Sequence, residues 1–211
     1  MPRGWFEPVN LTTWKLTKAE GRIIDWNLVG KGSHLIGDEE AIKAQWALVK
    51  EEWSGKDECL DSYNNHDLVG FIDGLCDTFV TVCYAYYLNK GERANFKKIS
   101  PITEEEFEEY LDCSYEDLTP RCVAAMLISL NVDWSGALNN VLSSNESKYD
   151  IYSPRSEGEY TKYCQVIMDQ GRYKDVRWKV NMGKVVYYEE GTNKILKGRD
   201  FFNPKLEEFI L

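Results

Sequence analysis

Asp67-Leu-Val-Gly-Phe-Ile-Asp-Gly-Leu-Cys-Asp-Thr-Phe-Val-Thr-Val-Cys-Tyr-Ala-Tyr-Tyr87 is the stretch on which the fold turns. Leu68, Phe71, Ile72, Leu75, Cys76, Phe79, Val80, Val82 and Cys83 cover more than half of a helix circumference. A helix that apolar belongs inside a bundle. Asp73 and Asp77 interrupt it. They are four apart, so at about 100° per residue they share a face, bordered by Val69, Ile72, Cys76 and Val80. Ionised carboxylates in apolar surroundings need a compensating cation, and Lys and Arg are absent between 57 and 89. Stacked carboxylate oxygens are the ligands Mg²⁺ or Mn²⁺ takes. The competing reading is a narrow solvated stripe.

Working upstream, Asp38-Glu-Glu-Ala-Ile42 reads as a capped helix start, with acids where the helix dipole favours them. Ile42, Trp46, Val49 and Trp53 recur at helical spacing. Ser54-Gly55 interrupts the pattern and Glu58 through Tyr63 resumes it. Glu51, Glu52, Glu58 and Asp61 form a second acidic row. On a continuous helix Glu51 and Glu58 fall within about 20° of each other. The Asn64-Asn65-His66 turn permits an antiparallel helix pair that sets one row across from the other. Four or more carboxylates from two helices is the composition of a multi-magnesium site, although charge runs are more often solvated faces.

Elsewhere the reading is coarser. The first 30 residues mix Pro2, Gly4 and Pro8 with Trp5, Phe6, Trp14, Ile23, Ile24 and Trp26, giving an irregular lead-in, a short helix near 18–28 and a turn at Gly30-Lys31-Gly32. Thr103 with Glu106 makes a capping box, and Thr119-Pro120 an N-cap followed by proline, which predicts helices near 104–112, 120–131 and 134–143. After about 150 the texture changes. Val176, Trp178 and Val180 alternate, then Asn181-Met182-Gly183 turns into Lys184-Val-Val-Tyr-Tyr188, a hairpin. The fold class expected is all-α, a helical bundle with a small C-terminal β-hairpin extension. Residues 1–150 form the helical core, and 151–211 an extension packing on the same domain.

Net charge is -10, from 35 acidic and 25 basic side chains, which repels a polyanion and argues against nucleic-acid binding. None of the six cysteines forms a C-x-x-C pair, so they read as small buried thiols in a reducing cytoplasm. The start does not read as a signal peptide, and no apolar stretch approaches the roughly 18–20 residues of a spanning helix, so no membrane partner is expected. His34 and His66 are too few and too far apart for a zinc or triad site, and His66 reads as a turn residue.

The acidic rows resemble the MazG-like, all-α NTP pyrophosphohydrolase family, which includes many bacteriophage members. Gln45-Trp-Ala-Leu-Val-Lys-Glu-Glu52 looks like the lead-in to the family's Glu pair, Glu58-Cys-Leu-Asp61 like its later Glu and Asp, and Asp73-Gly-Leu-Cys-Asp77 like its downstream acidic pair. Ser144-Asn-Glu-Ser-Lys148 is similar to the S-N-x-S-K element of phage-type members. The segment Gly191-Thr-Asn-Lys-Ile-Leu-Lys-Gly198 with Phe202, Pro204 and Leu206 is similar to their closing block. One position departs: the family's E-x-x-E would place a carboxylate where this chain has Gly55. Counting back from Asp77 selects Glu58, and an insertion of three residues around Ser54-Gly55 reconciles the counts.

What the resemblance implies is a hydrolase that cleaves between the α- and β-phosphates of a nucleoside triphosphate, giving the monophosphate and pyrophosphate. Glu51, Glu52, Glu58, Asp73 and Asp77 would hold two or three Mg²⁺, with Mn²⁺ able to substitute, and Glu51 or Glu52 would accept the proton of the attacking water. Asp61, Asn145, Lys148, Lys194 and Lys197 would meet the substrate, the lysines facing phosphate. Trp26, Trp46, Trp53, Tyr149 and Tyr152 are stacking surfaces or core. The resemblance also implies a homodimer or homotetramer, and host cytoplasm for a phage-encoded chain. Two other readings are a non-catalytic sensor that binds metal and nucleotide, and a helical interaction protein whose acids face water.

Overall fold

Local chemistry starts and stops the helices. In the computed structural model, which describes residues 8–32, 35–192 and 194–210, Asp38 caps α2 (Glu39–Ser54) by accepting from the Ala41 N–H. Asp67 caps α4 (Leu68–Lys90) through the Gly70 N–H, and Gly91, at φ 69°, ends it. Thr103 and Glu106 close the expected capping box on α5 (Glu104–Leu111). Thr119 and Pro120 open α6 (Pro120–Ser129). α1 (Pro8–Lys31) precedes these, α3 (Cys59–Asn64) lies between α2 and α4, and α7 (Trp134–Glu146) and α8 (Glu157–Asp169) follow α6. His34 and residues 1–7 lie outside the described residues.

The chain is mostly helical, with one small three-stranded antiparallel sheet. Its strands are β1 (Asp150–Ile151), β2 (Val176–Asn181) and β3 (Lys184–Glu189), in the order β1-β3-β2. The β2–β3 hairpin pairs Asn181 with Lys184 and Val176 with Glu189. Its turn residues Met182 and Gly183 have φ 48° and 73°, the positive pair that a twisted two-residue hairpin loop requires.

The described residues divide into two units. The first holds 8–25, 35–142 and 205–210, and α4 is its centre. Phe71, Ile72, Leu75, Cys76, Phe79, Val82, Cys83, Tyr84 and Leu88 are buried against α2, α3 and α6. The second holds 26–32, 143–192 and 194–204. There Tyr160, Cys164 and Ile167 of α8 pack with Val176, Val185, Tyr187 and Leu196.

Four expectations need correction. The lead-in is helical from Pro8, so α1 spans 24 residues rather than 18–28 and runs through Gly30 and Lys31. α8 was not foreseen. Glu51 and Glu58 do not share a continuous helix, because α2 stops at Ser54 and Asp57, at φ 63°, reverses the chain before α3. Finally, α4 does reach spanning length: an 18-residue window has mean hydropathy 1.5. Val, Ile, Leu, Phe, Ala and Cys raise that average, and 67% of the window is buried against the protein itself. All six cysteines are free thiols, and Cys59, Cys76, Cys83 and Cys164 are buried.

Candidate metal centre

Two glycines set the geometry. After the reversal at Asp57, whose N–H is held at 2.8 Å by Asp61 Oδ2, α3 returns across α4. A Cβ on Gly74 would stand 2.6 Å from both Cα and N of Cys59, and one on Gly70 would stand 2.7 Å from Ser62 Oγ. Only residues without side chains let the two helices approach this closely. Asp73 immediately precedes Gly74 and Glu58 immediately precedes Cys59, so the same contact sets these two acids beside each other. α2 lies alongside, with Gln45 Nε2 donating to the Thr81 carbonyl at 3.0 Å. Its C-terminal end therefore meets the middle of α4.

The electrostatics register that convergence. The Glu58 carboxyl is held above its ordinary value, first by burial and then by repulsion from Asp73 and Glu51. A hydrogen bond with the Glu52 carboxyl works in the other direction. Asp73 is also raised, by burial. Its Oδ1 is buried with no hydrogen-bond partner. Asp77 follows one turn later, half-buried, and both acids push up the buried Cys76 thiol between them, adding to the effect of burial.

The structure thus brings Glu51, Glu52, Glu58 and Asp73 together, with Asp77 adjacent. The donors are all hard oxygens, and an orphaned carboxylate oxygen is what a divalent cation would satisfy. Side-chain positions are open: among the described residues, no three His, Cys, Asp or Glu side chains close to ion-holding distance. Asp61 spends one oxygen on the Asp57 turn.

Gly55 has a physical reason. A Cβ there would lie 2.4 Å from the Glu51 carbonyl oxygen and 3.1 Å from Glu58 Cγ. A carboxylate at 55 has no room, and the Glu58 side chain passes through the space it would use.

Asn145, Lys148, Lys194 and Lys197 belong to the second unit. Lys148 Nζ donates to Asn145 Oδ1 at 2.7 Å and sits 5.4 Å from the Trp26 ring centre. Trp26 stacks on Tyr149, and its Nε1 donates to the Asn145 carbonyl at 2.7 Å. Lys194 is exposed, and Lys197 Nζ lies over Phe201 at 4.2 Å. The two resembling blocks pack on each other, since a Cβ on Gly198 would stand 2.7 Å from the Lys148 carbonyl oxygen and Ser144 Oγ donates to the Phe202 carbonyl at 2.7 Å. Asn193 lies outside the described residues. Among the aromatic candidates, Trp53 is core, with its Nε1 donating to the Cys113 carbonyl. Tyr152 donates to Glu157.

The sequence reading missed Asp150, a carboxylate engaged through both oxygens. It is 3% exposed and accepts from Arg199 Nε at 2.6 Å, the Arg199 N–H at 3.1 Å and Tyr187 Oη at 2.8 Å. A single acid with partners 37 and 49 residues away carries no local signal.

Comparison of the chain with protein-family models, curated proteins and solved structures gives no match.

Proposed function

We propose that this chain is a Mg²⁺-dependent nucleoside triphosphate pyrophosphohydrolase of the MazG-like all-α type, converting a (d)NTP to the (d)NMP and pyrophosphate. The observation that carries the reading is the buried, unpartnered Asp73 Oδ1 at the place where Glu58, Glu51 and Glu52 gather. Lys and Arg are absent between 57 and 89, so neither α3 nor the part of α4 that carries Asp73 supplies a cation of its own. The occlusion of position 55 by Glu58 supports the alignment in which Glu58 takes the family's second Glu position.

Bound at these acids, divalent ions would supply charge neutralisation for the triphosphate and Lewis-acid activation of water. Glu58, Asp73 and Asp77 would hold the ions. Glu51 or Glu52 would accept the proton of the water as its oxygen bonds to the α-phosphorus and the bond to the β-bridging oxygen breaks, releasing pyrophosphate. The same resemblance carries Asn145, Lys148, Lys194 and Lys197 into nucleotide binding, and Lys148→Ala is then expected to raise KM several-fold.

The test is incubation of the purified chain with each common NTP and dNTP, with and without Mg²⁺ or Mn²⁺, and identification of products. Metal-dependent pyrophosphate from at least one substrate is expected. Orthophosphate release instead, or no turnover of any, overturns the proposal. The openness of the acid set favours one second reading, a metal- and nucleotide-binding sensor. Binding of both without turnover would select it.

A further inference from the structure

We infer that a groove between α1 and α7 in the first unit is a mononucleotide-binding site, taking an aromatic base against Trp14 and its phosphate on Lys18 and Arg22. On α1, Trp14, Lys18 and Arg22 recur every four residues and so form one stripe, with Lys15 beside it. α7 supplies the facing wall with Trp134, Leu138 and Asn139, leaving a groove of about 160 Å³. Trp14 is 57% exposed, unusual for an indole without a partner surface. Lys18 Nζ stands 5.3 Å from the Trp14 ring centre and Lys15 Nζ 5.7 Å from that of Trp134. Arg22 Nη1 donates to Asn139 Oδ1 at 2.6 Å, which fixes the guanidinium at the groove wall.

The charge pattern is the argument. The chain carries 35 acids against 25 bases, yet three cations and no acid line this groove. Among the described residues neither Lys15 nor Lys18 has a carboxylate at ion-pair distance. Lys15 and Lys18, one turn apart on α1, repel each other unless an anion joins them. Arg offers a planar fork that matches phosphate, and indole faces accept any base by stacking. The groove is short and the overall charge is negative, which favours a single nucleotide over a polynucleotide. It shares no residue with the acids of α2, α3 and α4, so the inference stands whether or not the chain hydrolyses triphosphates.

The experiment titrates the full-length chain with the four ribonucleoside monophosphates in excess EDTA, which removes any ion from the acid site. Tryptophan fluorescence and calorimetry follow binding. Saturable quenching by at least one nucleotide is expected. Lys18→Glu should weaken it at least ~10-fold, through loss of a charge-assisted contact, and Trp14→Ala several-fold. Both side chains are exposed, and unchanged far-UV circular dichroism would verify the fold of each variant. The matching nucleoside and inorganic phosphate should each bind far more weakly than the nucleotide. Absence of saturable binding up to millimolar nucleotide, or unchanged affinity in both variants, overturns the inference. So does phosphate binding as tightly as nucleotide, or binding only of an oligonucleotide.

Discussion

Asp150 in the second unit and Asp73 in the first are both carboxylates withdrawn from water, and their surroundings could hardly differ more. Asp150 has a guanidinium, a phenol and a backbone N–H on its two oxygens. Asp73 has one oxygen buried with nothing bonded to it, and the charged groups that converge on its neighbour Glu58 are carboxylates. Saturation of that kind marks a structural pin, which ties the start of β1 to the segment after Gly198. A buried carboxylate oxygen with no hydrogen-bond partner, beside another acid, costs stability, and such a cost is characteristic of a site kept for a ligand. Glu20 shows that an unpartnered buried oxygen alone is insufficient. It is fully buried, with Oε1 taken by the Ala94 N–H and Oε2 unpartnered, but the charged group nearby is Arg93. Like-charged company separates Asp73 from Glu20.

The contrast can be broken in several places. Asp73→Asn or Asp77→Ala should reduce turnover by roughly 10³-fold, about 4 kcal/mol of transition-state stabilisation. Helix content should be retained, and Asp73→Asn should melt no lower than the parent. A fall of several degrees in Tm for that variant would make Asp73 structural. Asp150→Asn should behave in the opposite way, leaving the charge of Arg199 with no buried partner. A loss of about 2–3 kcal/mol is expected, discounted because Arg199 is itself about one-third exposed. Denaturant unfolding would measure it, and an unchanged midpoint would refute the pin.

Gly74→Ala tests the approach of α3. The added methyl must push Cys59 away, at about 1–3 kcal/mol, and should lower activity as well by withdrawing Glu58 from Asp73. Activity untouched at reduced stability would separate the glycine from the site. The smallest effect concerns Glu20. Burial raises its pKa in the folded state above the ordinary 4.5, against the pull of the Ala94 hydrogen bond and Arg93. Its contribution to stability is therefore complete below pH 4.5 and fades as pH rises through the folded value. Glu20→Gln should abolish that slope, so the variant should gain stability relative to the parent as pH rises through this window. A pH-independent difference would contradict it.

What could be foreseen was local. Thr103, Glu106, Thr119, Pro120, Met182 and Gly183 act on backbone groups within four residues, and the elements they start or turn lie close to where the sequence places them. The apolar run of α4 marked the core helix because its periodicity is internal. α1 was harder, since Gly21, Gly30 and scattered Thr and Trp blur its pattern. α8 is hard to see although Tyr160, Cys164 and Ile167 keep helical spacing, because the alternating hairpin residues that follow dominate the pattern of the whole segment. At the site, the residue types were legible and the geometry was not. That Gly74 admits Cys59, that Glu58 blocks position 55, and that Asp150 finds Arg199 are all contacts between distant stretches, which no window of sequence contains.

The claim that Asp73 is held for a divalent cation is tested most directly by calorimetric titration of Mn²⁺ into the parent and the Asp73→Asn variant, each with a non-hydrolysable nucleoside triphosphate present. The account predicts saturable binding in the parent that is lost or weakened at least ~10-fold in the variant. Equal binding by the two proteins, or none by the parent, would contradict it.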